Sequence, residues 1–388
     1  MNFDFNLRTN AKFGVGKAVN LPAYLKELLL FRPGVIIDEG IDELDYTRKV
    51  IDALSQDPDI TVSVWVYDLR HEPDYDSLDR VKLIFYDPDG KPSVDCFVGI
   101  GGGSAIDFAK GLSTVLVNPG NAVQYRGFPT GIIPSLPTIA IPTTAGTGSE
   151  VTYNAVFTDN SQKKKLGINT RNNYPVLAIL DPLFMINSPQ SVTTSSGMDA
   201  LVHTLESYAA IQSNPMNRIF AREAFCVLFK NLFLVTDFPG DTGIRAHLQY
   251  GAYLAGISLI NSGSGPAGAL SYPLGVHFKV PHGIAGAAFL PHIVLHNVNA
   301  GYDYSELYDL IEGADRSAPT IRKNTLFAEK LFELCKKLQV PEKLTAFGVS
   351  GDSVHILLQE VDALEMAFAQ NPVPFTVQDG KNLLKSMI

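Results

Sequence analysis

The chain is poor in cysteine and in charge. Only three cysteines occur among its 388 residues, none of them in a CxxC pair, and an odd number cannot pair completely. A disulfide-stabilised framework is therefore excluded. Charged residues make up 18% of the chain, and the formal net charge is −9. This acidic balance argues against nucleic acid or an anionic membrane surface as the partner.

Charge is almost absent from one long stretch. Between Arg245 and Asp303 the only charged side chain is Lys279. Glycine, serine, proline and histidine interrupt the stretch, whereas a membrane span needs about 20 continuous apolar residues, so a buried core around a site is expected instead. The first residues, MNFDFNLRTN, contain no basic stretch followed by an apolar run. No signal peptide is therefore expected, and the reducing cytoplasm is the expected location.

The length allows about two domains, and near residue 190 the pattern of strand-like and helix-like segments changes to one of helix-like segments only. In the first half, β-rich runs alternate with helical patterns, which predicts a parallel sheet with helices on its faces. We predict strands at 33–38, 62–68, 81–87, 95–100, 138–144, 155–159 and 176–181, and a helix at 104–116. In the second half we predict only helices, at 195–210 (capped by Ser195 or Ser196), 216–235, 244–260, 324–338 and 353–368. A ligand site is expected in the crevice between domains 1–188 and 189–388.

A glycine-rich run, GIGGGSAID at 99–107, lies between a predicted strand and a predicted helix. Glycines allow backbone N–H groups to approach a pyrophosphate, and the N-terminus of the following helix adds a favourable dipole. The alternative is an ordinary strand-to-helix turn. Asp38 ends the first predicted strand, where its carboxylate could bind a ribose and would repel a 2′-phosphate. This position favours NAD over NADP.

A second loop, PTTAGTGSEVT at 142–152, places Thr143, Thr144 and Thr147 after an apolar strand. Their hydroxyls and the exposed amides suit phosphates or a nicotinamide carboxamide, although a simple Ser/Thr turn would have the same composition. Downstream, the lysines at 163–165 form a positive patch or the solvated tip of a hairpin.

Asp199 and His203 are four residues apart on one predicted helix, so they share a face and could bind a divalent metal ion. The alternative is an ion pair. Glu206, three residues further on, could orient His203. The stretch without charge adds further imidazoles that are either ligands or buried core residues, at His277, His282, His292 and His296. The remaining histidines, His71, His247 and His355, are interpreted as structural or surface residues.

Five motifs occur together and in order: GGGSAIDFAKG, PTTAGTGSEVT, LDP, GMDALVHTLESY and PHGIAGAAFLPH. With them the chain resembles the iron-containing (group III) alcohol dehydrogenases, from about residue 10 to the NPVPFT segment at 371–376. The resemblance implies an α/β Rossmann-like N-terminal domain plus an all-α C-terminal domain, the architecture shared with dehydroquinate synthase. It also implies that 1–188 binds a dinucleotide and that 189–388 binds metal and substrate. A homodimer is implied as well.

Residue by residue, the resemblance implies that Asp199, His203 and His282 bind a divalent metal, Fe²⁺ or Zn²⁺. The cofactor, NAD in preference to NADP, is assigned to Asp38, Gly101, Gly102, Gly103, Ser104, Asp107, Thr143, Thr144, Thr147 and Lys165. Two positions depart from the family pattern, because Gly268 and Tyr272 stand where the family has histidines. Three interpretations remain open: a metal with three protein ligands and water, His277 as a substitute ligand, or lost metal affinity.

The expected activity is reversible oxidoreduction between a small primary alcohol and its aldehyde, with the metal acting as a Lewis acid and the nicotinamide carrying the hydride. The catalytic residues are expected to be Tyr272, His277 and His282, with the proton leaving through Tyr272, His277 or water. Three alternatives remain: a lyase resembling dehydroquinate synthase, a metal-free reductase resembling the maleylacetate reductases, and an NAD-binding protein without turnover. The lyase would consume no net NADH, and the metal-free reductase would keep its activity after chelation.

Overall fold

The computed structural model describes residues 2–68, 73–162 and 164–388. The chain divides into two compact units. The sheet unit consists of 7–144 and 148–188, and the helical unit consists of 189–388 together with 145–147 and the segment that ends at Asn6. The main change of unit falls between 188 and 189, where the domain boundary is predicted. The two short segments that belong to the helical unit were not predicted.

The sheet unit contains a six-stranded parallel sheet. Its strands are β1 (Asn10–Phe13), β2 (Pro33–Asp38), β3 (Ser63–Tyr67), β4 (Cys96–Gly101), β5 (Thr138–Pro142) and β8 (Leu177–Leu180). They lie in the order β1-β8-β5-β4-β2-β3. A separate hairpin consists of β6 (Thr158–Asp159) and β7 (Lys164–Lys165). The strands predicted at 33–38, 62–68, 95–100, 138–144 and 176–181 are confirmed.

Both faces of the sheet are covered, which explains why its central strands are continuously apolar. Within β2, Val35 and Ile37 enter one core and Ile36 enters the other. Helices α1 (Leu21–Glu27) and α2 (Asp45–Ser55) pack on the first face, and α3 (Tyr75–Val81) and α4 (Gly103–Val115) on the second. The helix predicted at 104–116 is confirmed as α4.

The strand predicted at 81–87 is wrong. Val81 ends α3, and Lys82–Phe85 continue as a 3₁₀ helix. Val81 and Phe85, four residues apart, are buried in one core, whereas the residues at 83 and 84 are exposed. The apolar run thus follows the period of a helix, which its high β-propensity concealed. Of the run at 155–159, only the last two residues form a strand.

The helical unit contains ten α-helices in the described part of the chain. They are α5 (Gln190–Ala209), α6 (Pro215–Val235), α7 (Thr242–Ile260), α8 (Pro266–Phe278), α9 (His282–Asn299), α10 (Ser305–Tyr308), α11 (Thr320–Lys337), α12 (Val354–Glu360), α13 (Glu365–Phe368) and α14 (Val377–Ser386). None of the helices described is both long and apolar enough to cross a membrane.

Two features of these helices differ from the predictions. Helix α5 begins five residues earlier than predicted, with Pro189 as its N-cap, so neither Ser195 nor Ser196 caps it. Ser196 instead donates a hydrogen bond to the carbonyl of Val192 within the helix (2.8 Å). The stretch without charge, for which no helix was predicted after residue 260, folds into α8 and α9. Pro266 starts α8 because a first-turn residue needs no N–H donor.

Candidate active site

Three predicted metal ligands come together in the helical unit. Asp199 and His203 lie on α5, and His282 is the first residue of α9. One ligand atom from each lies within 4.8 Å of the others, and no other group of three or more such ligands is found in the described residues. The Oδ1 atom of Asp199 lies 3.8 Å from Nε2 of His203 and 3.9 Å from Nε2 of His282.

A glycine brings His282 to this position. A Cβ atom on Gly283 would lie 1.9 Å from the carbonyl oxygen of Ser195 and 2.8 Å from Cβ of Asp199. Only a residue without a side chain lets the first turn of α9 approach α5 so closely. The PHG sequence at 281–283 is therefore the local signal that places an imidazole against the Asp199–His203 face.

The donor set fits a divalent cation. Asp199 is buried, and the Nδ1 atom of His203 is buried without a hydrogen-bond partner in the part of the chain described. Because Nε2 is the ring nitrogen of His203 that lies near Asp199, a cation would bind there, and the unpaired Nδ1 is not itself evidence of a metal. One carboxylate and two imidazoles form a donor set typical of Zn²⁺ and Fe²⁺.

Glu206 does not orient His203 as predicted. Its carboxylate accepts hydrogen bonds from the Ser264 hydroxyl (2.8 Å) and from the backbone N–H groups of Gly265 (2.8 Å), Ala267 (2.6 Å) and Gly268 (3.2 Å). It thus caps the N-terminus of α8, where a negative charge is favoured. Burial raises the pKa of Glu206, and these four donors oppose that rise.

The position of the missing family histidine is closed by this cap. A Cβ on Gly268 would lie 2.7 Å from Oγ of Ser264 and 3.0 Å from Oε2 of Glu206. Gly268 is therefore part of a tightly packed helix start, which we call the α8 cap and define as Glu206, Ser264, Gly265, Ala267 and Gly268.

The other two residues predicted to be catalytic lie on α8. Tyr272 is partly exposed, and its ring centroid lies 4.8 Å from that of His282. His277 is exposed near the end of the helix, and its Nε2 lies 3.5 Å from a carboxylate oxygen of Glu360. His277 is not part of the ligand cluster. Their catalytic roles stay predictions.

The remaining histidines lie outside the cluster. His292 packs edge-on against Phe332, and burial lowers its pKa. The Nε2–H of His296 donates a hydrogen bond to the carbonyl of Pro374 (2.9 Å). Both His247 and His355 are exposed, as expected for surface residues. His71 and Lys163 lie outside the described residues.

In the sheet unit, the glycine loop, the first threonines and Asp38 meet at the carboxyl ends of the strands. A Cβ on Gly101 would lie 2.6 Å from Cβ of Ala105 and 3.2 Å from Cβ of Asp38. The N–H of Thr143 donates to the carbonyl of Gly101 (2.9 Å). Thr144 lies 3.6 Å from the Cβ position of Gly102. The packing thus requires glycine at 101, where strand β4 turns tightly into α4.

The charges at this edge suit a dinucleotide. Among the described residues, no side chain caps the N-terminus of α4, so its dipole and backbone amides are available to an anion such as pyrophosphate. Asp38 accepts a hydrogen bond from the N–H of Gly40 (2.9 Å). Burial, followed by the nearby charges of Asp68 and Asp42, raises the pKa of Asp38.

Three other predicted cofactor residues lie in different surroundings. The buried carboxylate of Asp107 accepts hydrogen bonds from the Ser149 hydroxyl and the N–H of Val156 (2.9 Å), and it lies 3.5 Å from Nζ of Lys110. These contacts hold the threonine loop to α4. Lys165 lies in β7 of the hairpin, and Thr147 belongs to the helical unit. The cofactor contacts of these three residues stay predictions.

Comparison with known proteins agrees with this architecture. Residues 9–182 match the model of the iron-containing alcohol dehydrogenases, and residues 193–388 match the model of that family's C-terminal region. The NAD-dependent methanol dehydrogenase of Bacillus methanolicus is 31% identical over 76% of this chain and 77% of its own length.

Solved structures give the same result. A 1,3-propanediol oxidoreductase superposes with a TM-score of 0.91 at 26% identity, covering 100% of both chains. The sulfoacetaldehyde reductase of Bifidobacterium kashiwanohense, solved with NAD⁺, superposes with a TM-score of 0.87 at 25% identity and covers 100% of this chain and 99% of its own. The fold and site therefore define a dehydrogenase. The chain belongs to the iron-containing alcohol dehydrogenase family, and it is an oxidoreductase of that class.

Proposed function

We propose that the protein interconverts a small primary alcohol and its aldehyde, using NAD and a divalent ion held by Asp199, His203 and His282. The observation that carries this proposal is the cluster of those three side chains, in which one ligand atom from each lies within 4.8 Å of the others. A relative named for NAD dependence and a structural neighbour solved with NAD⁺ support the choice of cofactor.

The cluster would hold the ion with one negative charge and two neutral imidazoles. When bound, the ion supplies Lewis-acid polarisation of the substrate oxygen, and the nicotinamide supplies the hydride carrier. Since Gly268 has no side chain to offer, three protein ligands leave a coordination position for substrate or water, as in other catalytic sites.

In the sheet unit, Asp38 would accept hydrogen bonds from the ribose, and the Gly101–Ser104 turn with the N-terminus of α4 would bind the pyrophosphate. Thr143 and Thr144 would add hydroxyl and amide donors. We also retain cofactor roles for Gly103, Asp107, Thr147 and Lys165 as part of the proposal.

For proton transfer we propose solvent in preference to either predicted side chain. Tyrosine hydroxyls are poor bases at neutral pH. His277 lies against Glu360, which competes for its nitrogen. Tyr272 would instead pack on the His282 ring and limit its movement.

We further propose that the protein is a cytoplasmic homodimer. The three cysteines are free, as expected in a reducing compartment, and the edge strand β1 leaves Phe13 exposed for contact with a second copy. Light scattering on the purified chain tests the dimer.

The test of the function combines metal analysis with turnover. Purified protein is treated with chelator, reloaded with Fe²⁺ or Zn²⁺, and assayed for NADH and NADPH oxidation with short-chain aldehydes, 3-hydroxypropanal and sulfoacetaldehyde. We expect turnover to disappear on chelation and return with metal. His203→Ala should abolish both metal content and turnover, whereas His355→Ala, a change at an exposed histidine, should leave both intact.

The absence of a ligand at Gly268 favours one competing function, a metal-free reductase of the same fold, and full turnover after chelation would establish it. Tight NAD binding without turnover on any substrate would indicate a binding protein. Conversion of a substrate without net NADH consumption would indicate a lyase.

A further inference from the structure

Ser271 makes two contacts that join α8 to the predicted metal site. The residue is fully buried on α8, one turn after the Gly268 carbonyl. Its Oγ lies 2.5 Å from the carbonyl oxygen of Gly268 and 2.6 Å from Nδ1 of His282. The other ring nitrogen of His282, Nε2, lies farther from Oγ (3.4 Å) and 3.9 Å from Oδ1 of Asp199.

One arrangement of protons satisfies both contacts of Ser271. A carbonyl oxygen can only accept, so in this arrangement Ser271 donates its single hydroxyl proton to Gly268. The hydroxyl oxygen then acts as acceptor toward His282, and this requires a proton on Nδ1. A neutral imidazole protonated at Nδ1 carries its lone pair on Nε2, the atom on the Asp199 side of the ring.

From this relay we infer that Ser271 is a positioning residue: it holds the neutral His282 ring in the Nδ1–H tautomer and directs the Nε2 lone pair toward Asp199 and His203. The inference rests on the proposed function for its use in metal binding. Hydrogen bonds of this kind to a ligating imidazole fix its orientation and strengthen its donor atom.

The chain of contacts from Gly268 through Ser271 to His282 also connects the candidate metal site to α8, the helix that departs from the family pattern. The acceptor at its far end is the backbone of Gly268, whose side-chain position cannot supply a ligand. Helix α8 thus contributes to the metal site through the Ser271 hydroxyl, by fixing a ligand that belongs to α9.

The first experiment measures the tautomer without any variant. Histidine labelled with ¹⁵N is introduced into the full chain, bound metal is removed, and ring nitrogen resonances are recorded at increasing pH until they no longer change. His282→Gln identifies the His282 signals. We expect the proton on Nδ1. A proton on Nε2 in the metal-free wild-type protein would overturn the inference.

The second experiment measures zinc affinity by competition with a chromophoric chelator. Ser271→Ala should weaken Zn²⁺ binding by about 10–100-fold, the usual cost of losing such a partner. Ser271→Thr keeps a hydroxyl and should recover most of the affinity. Ser113→Ala is the matched control, because Ser113 is also fully buried and donates to the carbonyl three residues earlier (2.6 Å), but in the sheet unit. Equal Zn²⁺ affinity in wild type and Ser271→Ala would overturn the inference.

The two experiments separate this inference from the proposed function. If the wild-type protein takes up no zinc but shows the Nδ1–H tautomer, and Ser271→Ala loses it, Ser271 positions His282 and the metal proposal fails. If zinc binds at the three ligands while the tautomer is reversed, the metal proposal stands and the role of Ser271 fails.

Discussion

The packing around Gly268 makes a quantitative prediction for Gly268→Ala. The new Cβ would lie 2.7 Å from Oγ of Ser264, whereas ordinary contact begins near 3.4 Å, so the hydroxyl must move by 3.4 − 2.7 = 0.7 Å. That movement strains its 2.8 Å hydrogen bond to Glu206. Overpacking of this kind costs about 1–3 kcal/mol, offset by about 1 kcal/mol from the better helix propensity of alanine.

We therefore expect a net destabilisation of up to about 2 kcal/mol, which lowers Tm by up to about 8 °C, measured by thermal unfolding. Gly240→Ala is the control, because no atom lies within 4 Å of the Cβ it would add, and its Tm should not change. In a Ser264→Ala background, Gly268→Ala should lower Tm by less, because the hydroxyl oxygen that its Cβ would clash with is absent. If Gly268→Ala raised Tm, as it would at an open helix position, the tight packing of Gly268 in the α8 cap would be refuted.

The same geometry applies to Gly268→His, which places a histidine where the family resemblance implies one. Alone, the histidine must displace Ser264 and distort the α8 cap. We expect it to lower stability without raising metal content, and the combination with Ser264→Gly to give the higher metal content of the two. Metal analysis of both variants tests this expectation.

Three shorter predictions follow. Asp38→Ser should raise the ratio of kcat/KM for NADPH over NADH by at least about tenfold, since a carboxylate repels the 2′-phosphate, and an unchanged ratio would remove Asp38 from the ribose site. His277→Ala should lower kcat by less than about tenfold, whereas loss of an acid–base group costs about 10²–10⁴-fold. Burial raises the pKa of Glu150 from 4.5 to about 7, so the folded chain retains a proton that the unfolded chain releases. Stability should thus fall by about 3 kcal/mol as pH rises from about 4.5 to about 7, and Glu150→Gln should remove this dependence in denaturant titrations.

Much of the sheet unit could be predicted because its central strands are buried on both faces. The runs at 33–38 and 95–100 are apolar except for Asp38 and Asp95 at their ends, and turn residues bound them, so both are recognisable as buried strands. The run at 81–87 contains residues of high β-propensity, yet Val81 and Phe85 pack at helical spacing. The sequence pattern of a short apolar run does not show which residues it will pack against. For the run at 81–87, that packing determined the helical structure.

The cluster of three candidate metal ligands could be predicted because their spacing and motifs are local. The i, i+4 pair Asp199–His203 requires only a helix, and His282 follows from the resemblance. The role of Glu206 could not be predicted, because its partners at 264–268 are about 60 residues away and three of them are backbone amides. Ser271 was missed for a similar reason, since a serine on an apolar helix carries no pattern that indicates its contact with His282.

The central claim is that one divalent ion is held by Asp199, His203 and His282. Its most direct test is anomalous diffraction from crystals of the full chain loaded with Zn²⁺ or Fe²⁺, recorded on both sides of the metal's absorption edge. We expect a single strong peak per chain, about 2.0–2.2 Å from one oxygen of Asp199 and one nitrogen of each histidine. A peak bound elsewhere, or no peak at these three side chains in protein that retains turnover, would contradict the claim.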